Sequence, residues 1–207
     1  MSTATAEIIE SSTRAFVAEV HDGQDAPDFG SWVEVEQAET GDTLYGLVSH
    51  VEVSSYDSGR RPRAFGQSRE ELQRERPQVM ELLRTTFRAQ VLAYRPGGEQ
   101  GGDRGGSVRQ TLPPRPPSIH DFVYCCAPEA VRTLGAPYDF LRTLVQPGPD
   151  TDVPTDDLLV AVLRQVRDAY GDARAGDNQL VEAGRVLSRL LDDDHERLQS
   201  ILRRAER

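Results

Sequence analysis

FVAEVHDGQDAPDFGSWVEVEQAETGDTLYGLVSHVEV, residues 16–53, is the stretch that decides the fold. Apolar and polar residues alternate from Arg14 to Val20, from Trp32 to Glu36 and from Thr43 to Val53. Gly23, Gly30 and the turn Thr40-Gly41-Asp42 punctuate them. Short half-buried strands joined by tight turns carry this signature. The period of two returns at Thr86–Tyr94, with Phe87, Ala89, Val91 and Ala93 on one face, and again at Val108–Leu112 and Phe122–Cys126.

Helical signals fill the remainder. Ser68 followed by Glu71 forms a capping box, and Leu72, Val79, Leu82, Leu83 and Phe87 roughly follow helical spacing. Ser68–Thr85 therefore reads as helix, divided at Pro77. Beyond Ala127 the spacing predicts short helices over Pro128–Leu134 and Tyr138–Val145. A longer helix capped by Thr155, a second capped by Asp177 or Asn178, and a last one opening at Asp192–Asp194 follow. The predicted fold class is α+β. A small antiparallel β-barrel spans residues 1–126 with a helical insertion at about 57–85, and a C-terminal helical subdomain spans 127–207.

Composition excludes several chemistries. All 24 basic residues are arginine, so a Walker A lysine, a Schiff base and a lysine general base are ruled out. The histidines His21, His50, His120 and His195 are far apart in sequence, and none has the spacing of a zinc site, so no metal or cofactor is expected. Cys125 and Cys126 are adjacent, which predicts buried, reduced thiols rather than a disulfide. The N-terminus carries no basic region followed by an apolar core, and no apolar run is long enough to span a bilayer, so a cytoplasmic protein without membrane contact is expected.

The net charge of -10 is unevenly spread. Residues 1–55 hold 11 acids and 1 arginine, whereas residues 56–115 hold 7 acids and 12 arginines, so an anionic partner would dock on the middle segment. There, RRPRAFGQSREELQRER presents Arg60, Arg61 and Arg63 for phosphates and Phe65 for stacking on a base. The competing reading is a solvated helix with internal Glu-Arg pairs. Pro96–Gly106 reads as a mobile hairpin tip. Pro113, Pro114, Arg115, Pro116 and Pro117 read as a stiff strap leading off the barrel, or as a polyproline ligand for an aromatic groove in a partner. Asp156-Asp157 sits at a helix start, where capping explains it, and Ser118, His120 and Asp121 are crowded for a catalytic triad, so an enzyme is the least supported class.

With these elements placed, residues 16–53 and 87–112 resemble the HerA/ATP-synthase barrel, or HAS barrel, of HerA-type hexameric DNA translocases and rotary ATP synthase subunits. LPPRPPSIHDFVYCCAPEAVRTL, Leu112–Leu134, looks like the proline-rich strap and short helical stretch that lead to the nucleotide-binding domain in HerA-type proteins. Where a Walker A loop would follow, this chain has an acidic loop and helices. The resemblance implies a bacterial, non-catalytic adaptor or assembly module that binds a separately encoded HerA-like ATPase or its nuclease partner in DNA processing. Direct single-stranded nucleic-acid binding through the arginine-rich insertion is the alternative. Self-assembly into an oligomer is open under either reading.

Overall fold

The computed structural model describes residues 3–56, 63–97, 106–146 and 153–206. Six strands close into an antiparallel barrel: β1 (Ala6–Ser11), β2 (Ala15–Val20), β3 (Trp32–Glu36), β4 (Thr43–Ser55), β5 (Leu83–Arg95) and β6 (Phe122–Cys125). Their order around the wall is β1-β2-β5-β4-β3-β6, and β6 pairs back onto β1. Among the described residues seven helices complete the fold: α1 (Arg69–Glu75), α2 (Pro77–Glu81), α3 (Pro128–Leu134), α4 (Phe140–Val145), α5 (Thr155–Asp168), α6 (Ala173–Leu190) and α7 (His195–Ala205). None of them is long and apolar enough to cross a membrane, among the described residues. The barrel, its helical insertion and the helical C-terminal region are as the periodicity predicts.

The strand pleat sorts side chains between two cores. Ala6, Ile8, Phe16, Ala18, Val33, Val35, Leu44, Val48, Phe87, Ala89, Val91 and Val123 fill the barrel interior. Large rings there alternate with small residues. Gly46 is small because a Cβ would lie 3.0 Å from Ala89 Cβ and 3.1 Å from Phe16 Cε1. The opposite, outward face of the same strands carries Trp32, Tyr45, Leu47, Leu92 and Ala93, which join the helices of the C-terminal region in a second core. Trp32 meets Phe140 edge-on at 5.2 Å, and its backbone amide donates to Gln165 Oε1 at 3.0 Å. Leu158, Leu159, Val162, Leu163 and Val166 of α5 are all buried in this core. The helical tail therefore folds back onto its own barrel.

Several local expectations are corrected. β1 was not expected: a bulge between Ile8 and Glu10 breaks its alternation, yet Ala6 and Ile8 point inward. The helical insertion ends at Glu81 rather than Thr85, because Leu83, Arg84 and Thr85 pair with Ser55, Ser54 and Val53. Val108–Leu112 is no strand. A single bridge joins Arg109 to Tyr94, and Gln110 leaves the ladder, its amide nitrogen donating to the Leu134 and Gly135 carbonyls and its oxygen accepting from the Phe140 amide. Thr155 is the first residue of α5 and does not cap it. α6 starts earlier than expected, at Ala173, with Asp172 accepting from the Ala175 amide. Cys126 is largely covered, and burial pushes its thiol well up, but Cys125 is exposed, against the expectation for both. The Gly-rich segment expected as a hairpin tip lies mostly outside the described residues.

Gly30 marks how closely barrel and tail meet. It sits at φ +83°, its amide donates to the Val48 carbonyl at 2.8 Å, and a Cβ there would lie 2.3 Å from Ala161 Cβ on α5. Gly30→Ala is expected to lower unfolding stability by about 2–4 kcal/mol, combining left-handed strain with overpacking against α5. Urea denaturation of the two proteins measures it, and a change within error would mean that α5 does not seat this tightly.

Candidate interaction surface

β4 and β5 are far longer than the other strands. The first half of β4 and the later part of β5 make barrel wall, where β4 pairs with β3 up to Leu47 and β5 pairs with β2 from Thr86 onward. Beyond those limits β4 and β5 have only each other, and they run on as a two-stranded arm whose ladder reaches Ser55↔Leu83. The arm is braced at its base by Glu19 of β2. Its carboxylate accepts from the Tyr56 hydroxyl and lies 3.5 Å from Arg84 Nη1, while the Arg84 guanidinium sits 5.4 Å over the Tyr56 ring.

At the far end of the arm lie α1 and α2. Ser68 caps α1 by accepting from the Glu71 amide at 3.2 Å, and the Ser68 amide donates to the Glu71 carboxylate at 2.8 Å, which completes the capping box. Donation from the Ser68 backbone amide foremost, and the nearby Ser68 hydroxyl second, hold the Glu71 carboxyl below its ordinary value. Pro77 opens α2, so the break falls where proline chemistry predicts. Neither helix buries a single residue. Together the arm and its helices present Val53 at 65% exposure, Tyr56 at 56%, Leu82 at 49% and Phe65 at 41%. An apolar set of this kind, on elements that give nothing to the chain's own core, marks a surface for something else.

The arginine-rich segment is only partly described: Arg60 and Arg61 lie outside the described residues. Arg63 is exposed. Phe65 does not stand free, because the Arg76 guanidinium lies 5.2 Å over its ring. The internal Glu-Arg pairs expected along this helix do not form among the described residues. Glu71 serves the cap and Glu75 accepts from Gln67 Nε2 at 2.6 Å.

The strap is docked rather than free. Pro113 and Pro117 are buried, while Pro114, Arg115 and Pro116 are exposed. Gln37 Nε2 donates to the Pro116 carbonyl at 2.7 Å, and the Ser11 hydroxyl donates to the Pro117 carbonyl. A partner that meets the strap in place reads only its middle three residues.

The residues weighed for chemistry have other employment. The Asp121 carboxylate accepts from the Ser118 amide at 2.8 Å, closing a turn, and His120 Nδ1 contacts Glu7 instead of Asp121. Asp156 pairs with Arg197 at 2.8 Å and Asp157 with Arg204, so this acid pair ties α5 to α7 instead of merely capping α5. Sequence reasoning found the insertion but missed the arm itself. The signal was present in the apolar-polar alternation through Val51 and Val53, which continues past the point where the barrel needs it. No protein-family model matches the chain, and no curated protein matches its sequence.

Because α1 contributes nothing to either core, its cap acts locally. Ser68→Ala is expected to speed amide exchange in α1 by roughly fivefold, from the loss of about 1 kcal/mol of capping. The urea midpoint of the whole protein stays unchanged. The same fraying is expected in acid. Glu71 has a depressed pKa in the folded chain, so its contribution is complete above the ordinary glutamate value and is lost as pH falls through the lowered one. Hydrogen exchange followed by NMR at two pH values reads both effects.

Proposed function

We propose that this protein is a non-catalytic assembly module. The barrel and its packed helical tail form a rigid base, and the arm of β4 and β5 with α1 and α2 is the element that engages a protein partner. The observation that carries this reading is the arm: thirteen-residue strands outrun the barrel and end in two helices without a buried residue. Its exposed Val53, Tyr56, Phe65 and Leu82 suit a protein surface better than a small-molecule site. The HAS-barrel resemblance and the absence of a Walker A lysine from the sequence favour a HerA-like ATPase, or its nuclease partner, as the protein engaged.

Single-stranded nucleic acid is the second reading. Arg69 and Arg74 of α1 have no acidic partner among the described residues, which favours it, while the occupied face of Phe65 counts against it.

Affinity purification from the native organism, with and without nuclease treatment, separates the two. Recovery of a HerA-like ATPase or nuclease that survives nuclease treatment, and that is lost with a Val53→Asp, Leu82→Asp variant, supports the assembly module. If no such protein is recovered and single-stranded DNA binds with an affinity that falls steeply with salt, the second reading replaces it.

A further inference from the structure

The arm has an open edge, and the hydrogen-bond parity of β4 says which residues hold it. The Tyr56 amide donates to the Leu82 carbonyl across the arm, so Tyr56 faces β5. In an antiparallel ladder alternate residues face alternate sides, which turns Ser54, Glu52 and His50 toward β5 as well and leaves the amides and carbonyls of Val51 and Val53 pointing away from it. On that outer side, neighbouring backbone bonds to β4 only as far as Val48, whose amide donates to the Ser31 carbonyl and whose carbonyl accepts from the Gly30 amide. The bulge between Val48 and His50 switches the parity at the point where the barrel wall ends. Past it, no described strand pairs with the outer edge.

Natural proteins usually block such an edge with proline, an inward-pointing charge or a short strand. None of these devices stands here: the edge residues are two valines, Val51 at 36% and Val53 at 65% exposure. The charge between them is on the polar face of the arm. Glu52 is opposite Thr86, its side chain is 59% exposed, and its one ion-pair contact among the described residues is His50 at 3.8 Å. Two arginines flank Thr86 on that face: Arg84 is already held by Glu19, and Arg88, opposite His50, is exposed and makes no ion pair among the described residues. A second copy of β4, paired antiparallel so that Val51 meets Val53, would set Glu52 against Glu52 at the closest cross-strand distance, which disfavours self-pairing.

We propose that the β4 edge at Val51–Val53 is a strand-addition site for an extended segment of a protein partner, with β-branched residues opposite the valines and an arginine or lysine opposite Glu52. Backbone bonds to Val51 and Val53 supply the affinity, and the Glu52 carboxylate selects the basic residue. The proposal names the chemistry of the partner's docking segment and so rests on the assembly reading for the partner being a protein.

The test needs no native partner. The full chain is titrated with two synthetic peptides, acetyl-Thr-Val-Arg-Val-Thr-amide and the same peptide with glutamate in place of arginine, followed by amide NMR and hydrogen exchange. The expected result is saturable shifts confined to the arm and slowed exchange at the Val51 and Val53 amides. A preference of roughly fivefold or more for the arginine peptide is expected, from the difference between an opposite-charge and a like-charge cross-strand pair. Val53→Pro removes an outward donor without touching the bonds to β5 and is expected to abolish binding. Glu52→Arg leaves the edge open and is expected to reverse the preference toward the glutamate peptide, which keeps the test valid if the proline variant fails to fold. Absence of saturable binding, equal binding of both peptides, or concentration-dependent self-association lost in Val53→Pro would each overturn the proposal. Those outcomes leave the assembly reading standing, since recovery of an ATPase or nuclease is measured separately.

Discussion

The seating of α5 on the outer face of the barrel is the contact on which the rest depends. Trp32, Tyr45, Leu47, Leu92 and Ala93 project from the side of the strands that faces solvent in an isolated barrel, and here each is buried beneath the helical tail. Large apolar side chains contribute about 1.5–3 kcal/mol each on full burial. Stripping the tail would therefore expose a surface that no small barrel of this size tolerates in water. Dependence runs the other way as well. α5 is buried along Leu158, Leu159, Val162, Leu163 and Val166, and a helix of fourteen residues with that much apolar face is marginal alone. Barrel and tail share one core, with Gly30 against Ala161 setting the distance between them.

That shared core leaves the arm as the part with no structural duty. Every other element gives side chains to one of the two cores, or pairs within the barrel wall, or ties helices together through pairs such as Asp156 with Arg197. Glu19, at the end of β2, reaches along the arm to Arg84 and Tyr56, and the arm extends apolar residues into solvent. A chain that keeps Val53 two-thirds exposed beside an open strand edge accepts an aggregation liability, which the proposed strand addition would remove.

Legibility in the sequence followed the reach of each interaction. Alternation and turn residues located β2, β3, β4 and β6, and the capping box and Pro77 located α1 and the start of α2 almost to the residue, because those signals act within four or five positions. β1 was hidden by its bulge. Val108–Leu112 carried strand-like alternation, yet Gln110 serves the Leu134 and Gly135 carbonyls, partners more than twenty residues away that no local pattern records. The early start of α6 was hidden by Gly176, which reads as a helix breaker but is small because a Cβ would lie 2.5 Å from the Arg167 carbonyl oxygen. The candidate surface was half visible: the arginine-rich insertion stood out by charge, while the arm that carries it emerged only from the mismatch between strand lengths.

The closure of the barrel through β1 and β6 bears on how the chain is made. Ala6 pairs with Val123 and Glu7 with Phe122, so the earliest of the six barrel strands waits for the latest of them before the ring can shut. During that interval the edges of β1 and β3 are unpaired, and the outer face centred on Trp32 is uncovered until α4 and then α5 have followed. Contacts of such sequence separation fold slowly and leave nascent chains open to mispairing. The strap, anchored through Pro116 and Pro117 to Gln37 and Ser11, delivers β6 to its slot between two strands that are already in place. A stiff proline run limits the positions from which β6 can reach that slot, a constraint that holds with or without a partner.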